Sequence, residues 1–158
     1  MKKKLRSRRG FTLTEMIFTV LLLGIMSLSV AVGVSSSLNV YRESTLLSDA
    51  EVLCDTLTEV VMDELRFATN INGAKDPPTY ENSTLGSGLW LATNPEGCLG
   101  ITDGVNYNLF LQKGAYTGLW ADIHYEYKDS VFTVKISVKQ TKDSPTPIQT
   151  AEFKVRPK

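Results

Sequence analysis

"RRGFTLTEMIFTVLLLG", residues 8–24, decides how the chain is organised. A basic cluster runs into an apolar segment, and a carboxylate, Glu15, stands at the edge of that segment. A charge in hydrocarbon is costly, so the acid at this place demands a reason. Beyond it, residues 16–41 contain no charged side chain. The most apolar part, residues 16–34, approaches the roughly 20 residues with which a helix crosses a bilayer. Upstream, Lys2, Lys3, Lys4, Arg6, Arg8 and Arg9 form a basic leader without an acid. The positive-inside rule keeps such a leader cytoplasmic and places the rest of the chain outside.

The 158 residues suit one modest folded domain with an anchor. Lys and Arg number 17, as do Asp and Glu. Without the six basic leader residues, eleven bases face seventeen acids, an excess of six negative charges. That acidic body argues against nucleic-acid binding by this subunit alone, since phosphates demand a basic face.

Downstream of the apolar run a helical period persists. Leu46, Ala50, Leu53, Leu57, Val60 and Val61 recur at spacings of three and four, flanked by Leu47, Cys54, Leu65 and Ala68. This is an amphipathic stripe. No proline interrupts residues 11–75, so both parts can form one helix of about sixty residues, about 85–90 Å long. Gly24, Gly33 and the Ser35-Ser36-Ser37 run are soft points where a bend or local melting is expected. "NING", residues 70–73, is the expected stop, and Pro77-Pro78 forbids continuation.

The period then changes. "LWLAT" (89–93) and "YNLFLQ" (107–112) suggest short strands, and "ADIHYEY" (121–127) with "VFTVKISVKQ" (131–140) a β-hairpin. In the latter Phe132, Val134, Ile136 and Val138 share one face. "TAEFKVRP" (150–157) is a last strand. The expected fold is α+β, a long N-terminal helix with a transmembrane half and an amphipathic half, the latter covering an antiparallel sheet of four or so strands. The divisions are a leader at 1–10, a transmembrane and assembly helix at 11–37, its amphipathic half at 38–70, and a β head at 71–158.

A basic leader ending in Gly10, then Phe11, Thr12, Leu13 and Glu15, then an apolar helix, resembles the prepilin-type cleavage and methylation signal of type IV pilins and type II secretion pseudopilins. The resemblance implies a pilin-like fold, cleavage between Gly10 and Phe11 by a prepilin peptidase, and N-methylation of Phe11. It also implies that Glu15 pairs with the terminal amine of a neighbouring subunit. Other pilin or pseudopilin subunits, an assembly platform and a motor ATPase would then be partners. The place would be the bacterial cytoplasmic membrane, crossed once with the head outside, and a filament of the cell envelope after assembly. Many major pilins carry a proline within the apolar helix and a long Cys-bounded C-terminal loop. This chain has neither, which favours a minor pilin or pseudopilin. The resemblance implies no enzyme and no cofactor.

Other readings stand beside it. Thr12-x-x-Glu15 is also a capping-box pattern. A secreted globular protein with an ordinary signal peptide would use a site such as Ala31-x-Gly33, although its apolar core exceeds the roughly 7–15 residues usual there. A single-pass anchored binding protein would keep the leader. Cys54 and Cys98 could pair in an oxidising compartment, or Cys54 could be a free buried thiol. His124 is the lone histidine, and no nucleophile, nucleotide or zinc pattern surrounds it. "DGVNYN" (103–108) suits a turn better than a calcium loop, because it lacks the closing Glu. Asn82-Ser83-Thr84 fits a glycosylation sequon but suits a plain loop. Trp90, Tyr107, Tyr116, Trp120, Tyr125 and Tyr127 serve either core packing or a contact surface.

Overall fold

A chain with no charge over residues 16–41 and no proline before Pro77 has every local reason to stay helical. The computed structural model, which describes residues 11–158, has one helix there, α1 (Leu13–Arg66). The polypeptide divides into two compact units, the first ending at Ser44 and the second spanning Thr45–Lys158. Within the first unit every described side chain is exposed. The helix runs unbroken through Gly24, Gly33 and the serine run, where softening was expected. Serine hydroxyls bond back to the carbonyl one turn earlier, Ser27 to Leu23, Ser29 to Ile25, Ser35 to Ala31 and Ser37 to Gly33, at 2.8–3.0 Å. Each of these four hydroxyls is satisfied inside its own helix and can meet an apolar surrounding without an orphaned donor.

In the second unit the amphipathic stripe does what its spacing implies. Ala50, Leu53, Cys54, Leu57, Val61 and Leu65 are buried. Leu46 and Val60 are half-buried, whereas Leu47 faces out. At about 1.5–3 kcal/mol per buried large side chain, this face supplies much of the drive that seats the helix on its sheets. The helix ends at Arg66, ahead of the expected stop at 70–73. Phe67 N and Ala68 N bond back to Glu64 O and Leu65 O, which tightens the last turn. Asn70 then takes a left-handed φ of 47° and redirects the chain.

"NING" is thus part of strand β1 (Thr69–Asn72), paired antiparallel with β2 (Thr79–Asn82). These continue into β3 (Gly86–Thr93), β4 (Leu99–Thr102) and β5 (Tyr107–Leu109), a five-stranded meander in chain order. A short 3-10 turn (Lys113–Tyr116) leads to β6 (Trp120–Lys128), β7 (Val131–Lys139) and β8 (Gln149–Val155), a second sheet of three strands. The expectation of one sheet of four or so strands is therefore corrected to two antiparallel sheets with eight strands among the described residues. β1, β2 and β4 were absent from the expectation, and "YNLFLQ" contributes only its first three residues.

The β6–β7 hairpin follows the alternation. Asp129 and Ser130 hold φ of 53° and 62°, a two-residue turn whose twist matches the strands. Phe132, Val134, Ile136 and Val138 are all fully buried. They join the α1 stripe and Leu89, Leu91, Leu99 and Ile101 of the first sheet in one core. Ala121 N donates to Gly97 O at 2.9 Å, tying β6 to the β3–β4 turn.

Candidate functional site

The N-terminal end of α1 gathers the residues singled out by their order in the chain. Gly10 lies outside the described residues. Phe11 is exposed, and Thr12 caps the helix. The Glu15 carboxylate accepts from Thr12 N at 3.0 Å and from Thr12 Oγ1 at 2.9 Å, both on Oε2. Glu15 N donates in return to Thr12 Oγ1 at 3.3 Å. This is a reciprocal capping box, which satisfies two of the helix's orphan donors. Its carboxylate also faces the positive end of the helix dipole. Oε1 carries no hydrogen bond or ion pair among the described residues, so it can accept one more charge-assisted bond from a cation.

Behind Glu15 the surface is apolar all round. From Phe11 to Tyr41, eighteen large hydrophobic side chains are exposed, Met16, Ile17, Phe18, Leu21 and Ile25 among them. The helix is long and apolar enough to cross a membrane, with a mean hydropathy of 2.5 in its most apolar window. At about 1.5–3 kcal/mol for each such side chain removed from water, exposure on this scale costs tens of kcal/mol. The end of α1 therefore needs lipid or other apolar helices around it.

The remaining candidates resolve into structural roles. Cys54 and Cys98 are both free thiols and both buried. Cys54 sits in the α1 stripe, and burial pushes both thiols up, away from the reactive thiolate. His124 is exposed, with Nε2 at 3.7 Å from Glu126 Oε1. In "DGVNYN" the Asp103 carboxylate accepts from Val105 N at 2.8 Å and Asn106 N at 2.6 Å, which holds it below the usual carboxylate range. The acid thereby closes a turn. Asn82 donates from Nδ2 to Glu64 Oε1 at 2.9 Å and accepts from Thr84 N at 2.8 Å, so its amide pins the β2–β3 turn to α1.

Three tyrosines are pegs between strands. The Tyr125 hydroxyl donates to Pro78 O at 2.8 Å and accepts from Leu91 N at 3.0 Å. Tyr116 Oη accepts from Leu99 N at 2.8 Å, and Tyr107 Oη reaches Ala92 O and Cys98 O. Tyr127 packs on Phe132 with ring centroids 4.7 Å apart. Trp90 and Trp120 remain half-buried. The grouping of Glu96, Lys113 and Lys142 near Trp120 was not legible beforehand, because its members come from three separated segments. Only the Asn94-Pro95-x-Gly97 turn signal hinted at it.

No curated protein and no solved structure matches the chain. Residues 5–31 match the family model described as the prokaryotic N-terminal methylation motif, and the chain thus carries the N-terminal signal of type IV pilins and pseudopilins.

Proposed function

We propose that this chain is a prepilin-like structural subunit, a minor pilin or pseudopilin. It is cut between Gly10 and Phe11, methylated on the Phe11 amine, and assembled through α1 into a type IV pilus or a secretion or competence pseudopilus. The observation that carries this is the coincidence of the methylation motif with a helix end whose apolar surface is wholly exposed and begins at a carboxylate. Before assembly the apolar half lies in the cytoplasmic membrane with the head outside. After assembly the same surface packs against neighbouring helices. Glycine suits the cut because it lacks Cβ and lets the backbone approach a protease. The chain is a substrate of the prepilin peptidase and has a structural part of its own. An assembly platform and its motor ATPase act on it indirectly.

Glu15 then has two tasks in sequence. In the lone subunit it closes the cap through Oε2. In the filament its free Oε1 meets the amine of an adjoining Phe11. At an effective dielectric near 20, opposite charges about 4 Å apart attract by about 4 kcal/mol before desolvation. A buried charge without its mate is destabilising by about 3–5 kcal/mol, so the pair fixes axial registry. The mass and sequence of the mature N-terminus test the proposal. A methylated Phe11 is expected; a chain with residues 1–10 attached, or one starting near Val34, refutes it.

A further inference from the structure

We infer that the groove around the Asn94–Gly97 turn of the head binds a neutral oligosaccharide. The turn between β3 and β4 is closed by its own hydrogen bonds. Gly97 N bonds to Asn94 O at 3.0 Å, and Asn94 Oδ1 accepts from both Glu96 N and Cys98 N. Three adjoining depressions of about 480, 430 and 450 Å³ ring it. The first two share Glu96 and Lys113, the first and third share Trp120 and Lys142, and the second and third share Asn94 and Pro95. They adjoin one another around the turn. Each of the three lies in the size range of ligand sites, about 300–1,000 Å³.

The half-buried Trp120 is the aromatic wall shared by the first and third depressions, and Tyr107 and Leu109 line the second. Gly97 has φ of 84°, and a Cβ there would fall 2.6 Å from Trp120 Cε3, so bare backbone lies against the indole. Lys142 Nζ stands 5.8 Å from the ring centroid, a cation–π contact worth under about 1 kcal/mol at an exposed site, and so readily displaced. Around the indole stand hydrogen-bonding groups of both signs. Lys113 Nζ pairs with Glu96 Oε2 at 2.5 Å, and Lys139 Nζ with Asp122 Oδ2 at 3.4 Å. The Lys113–Glu96 pair is exposed, and such pairs are worth about 0–1 kcal/mol, so its members can turn to ligand hydroxyls at little cost.

This combination selects a chemistry. A pyranose ring offers a C–H face that stacks on an indole and hydroxyls that donate to carboxylates and accept from ammonium groups. Glu96, Asp122 and Asp143 are balanced by Lys113, Lys142 and Lys139, so the site carries no positive excess, which disfavours a polyanion such as nucleic acid. The polar rim disfavours a purely apolar guest. Three adjoining depressions give room for more than one sugar unit.

The test uses the full chain in detergent micelles, titrated with N-acetylchitotetraose, cellotetraose and mannotetraose. The two indole N–H resonances are followed by nuclear magnetic resonance. A saturable shift of Trp120 with at least one sugar, and none of Trp90, is expected. By calorimetry Trp120→Ala should weaken that binding about tenfold or more, and the rim variant Glu96→Ala about threefold. The inference is overturned if no sugar moves Trp120, or if only a single-stranded oligonucleotide or a lysine-rich peptide does. It is overturned equally if both variants bind like the unaltered chain.

Discussion

Glu15→Gln separates the two tasks assigned to the carboxylate. Glutamine at the third helical position still serves in a capping box. Its amide oxygen can accept from Thr12 N and Thr12 Oγ1 as Glu15 Oε2 does at 3.0 and 2.9 Å. The helix end should therefore keep its cap and lose only the negative charge. Under the proposed pairing, losing the charge removes the mate of the Phe11 amine, at about 3–5 kcal/mol for an ion left buried and unpaired. At 1.4 kcal/mol per factor of ten, incorporation falls about a hundredfold to a few thousandfold. Thr12→Ala is the converse, because it weakens the cap by about 1 kcal/mol and spares the charge, so its effect stays under about tenfold. The assay is the quantity of subunit in sheared filaments from cells that express the assembly machinery. Helicity by circular dichroism in micelles is measured beside it. If Glu15→Gln enters filaments like the wild type while Thr12→Ala does not, the carboxylate is a cap and the pairing argument fails.

Three further outcomes follow from the head. Leu57 is fully buried at the centre of the α1 stripe, and Leu57→Ala should cost about 2–5 kcal/mol; an unchanged urea midpoint would show that α1 is not seated as described. Tyr125→Phe strips Pro78 O and Leu91 N of their buried partner, at about 2–4 kcal/mol, and native hydrogen exchange should quicken at Leu91; equal protection would refute the peg. Burial pushes Tyr116 and Tyr125 up to about 12 and raises Tyr80 and Tyr107 also. The folded state therefore holds these protons more tightly than the unfolded chain. That stability is complete below pH 10 and drains away above it, at about 1.4 kcal/mol per pH unit for each group. The melting temperature should be level up to pH 9 and drop beyond pH 10, and a melt unmoved at pH 12 would contradict the burial.

What could be foreseen divides along a physical line. The α1 stripe and the β6–β7 hairpin announce themselves because one face of each is buried and the other is not. Phe132, Val134, Ile136 and Val138 alternate with Thr133, Lys135, Ser137 and Lys139, and the core takes the apolar set. β4 gives no such sign, since Leu99, Gly100, Ile101 and Thr102 are all buried and nothing alternates. β1 and β2 are only four residues each, and Asn and Glu, which strands disfavour, interrupt their Thr, Ile and Tyr, so neither shows an apolar alternation and both owe their state to pairing within the sheet. The same line runs through the sites. Gly10, Phe11, Thr12 and Glu15 stand within six residues, so a signal made from them can be met on an extended chain or a single helix end. The depressions beside Trp120 take their walls from residues 93–98, 107–109, 113–122 and 140–143, which meet only when the β3–β4–β5 and β6–β7 pairs have formed and packed together. A feature that must act before the head has folded has to be contiguous in the chain. One that acts on the finished surface is free of that constraint, and periodicity and spacing cannot disclose it.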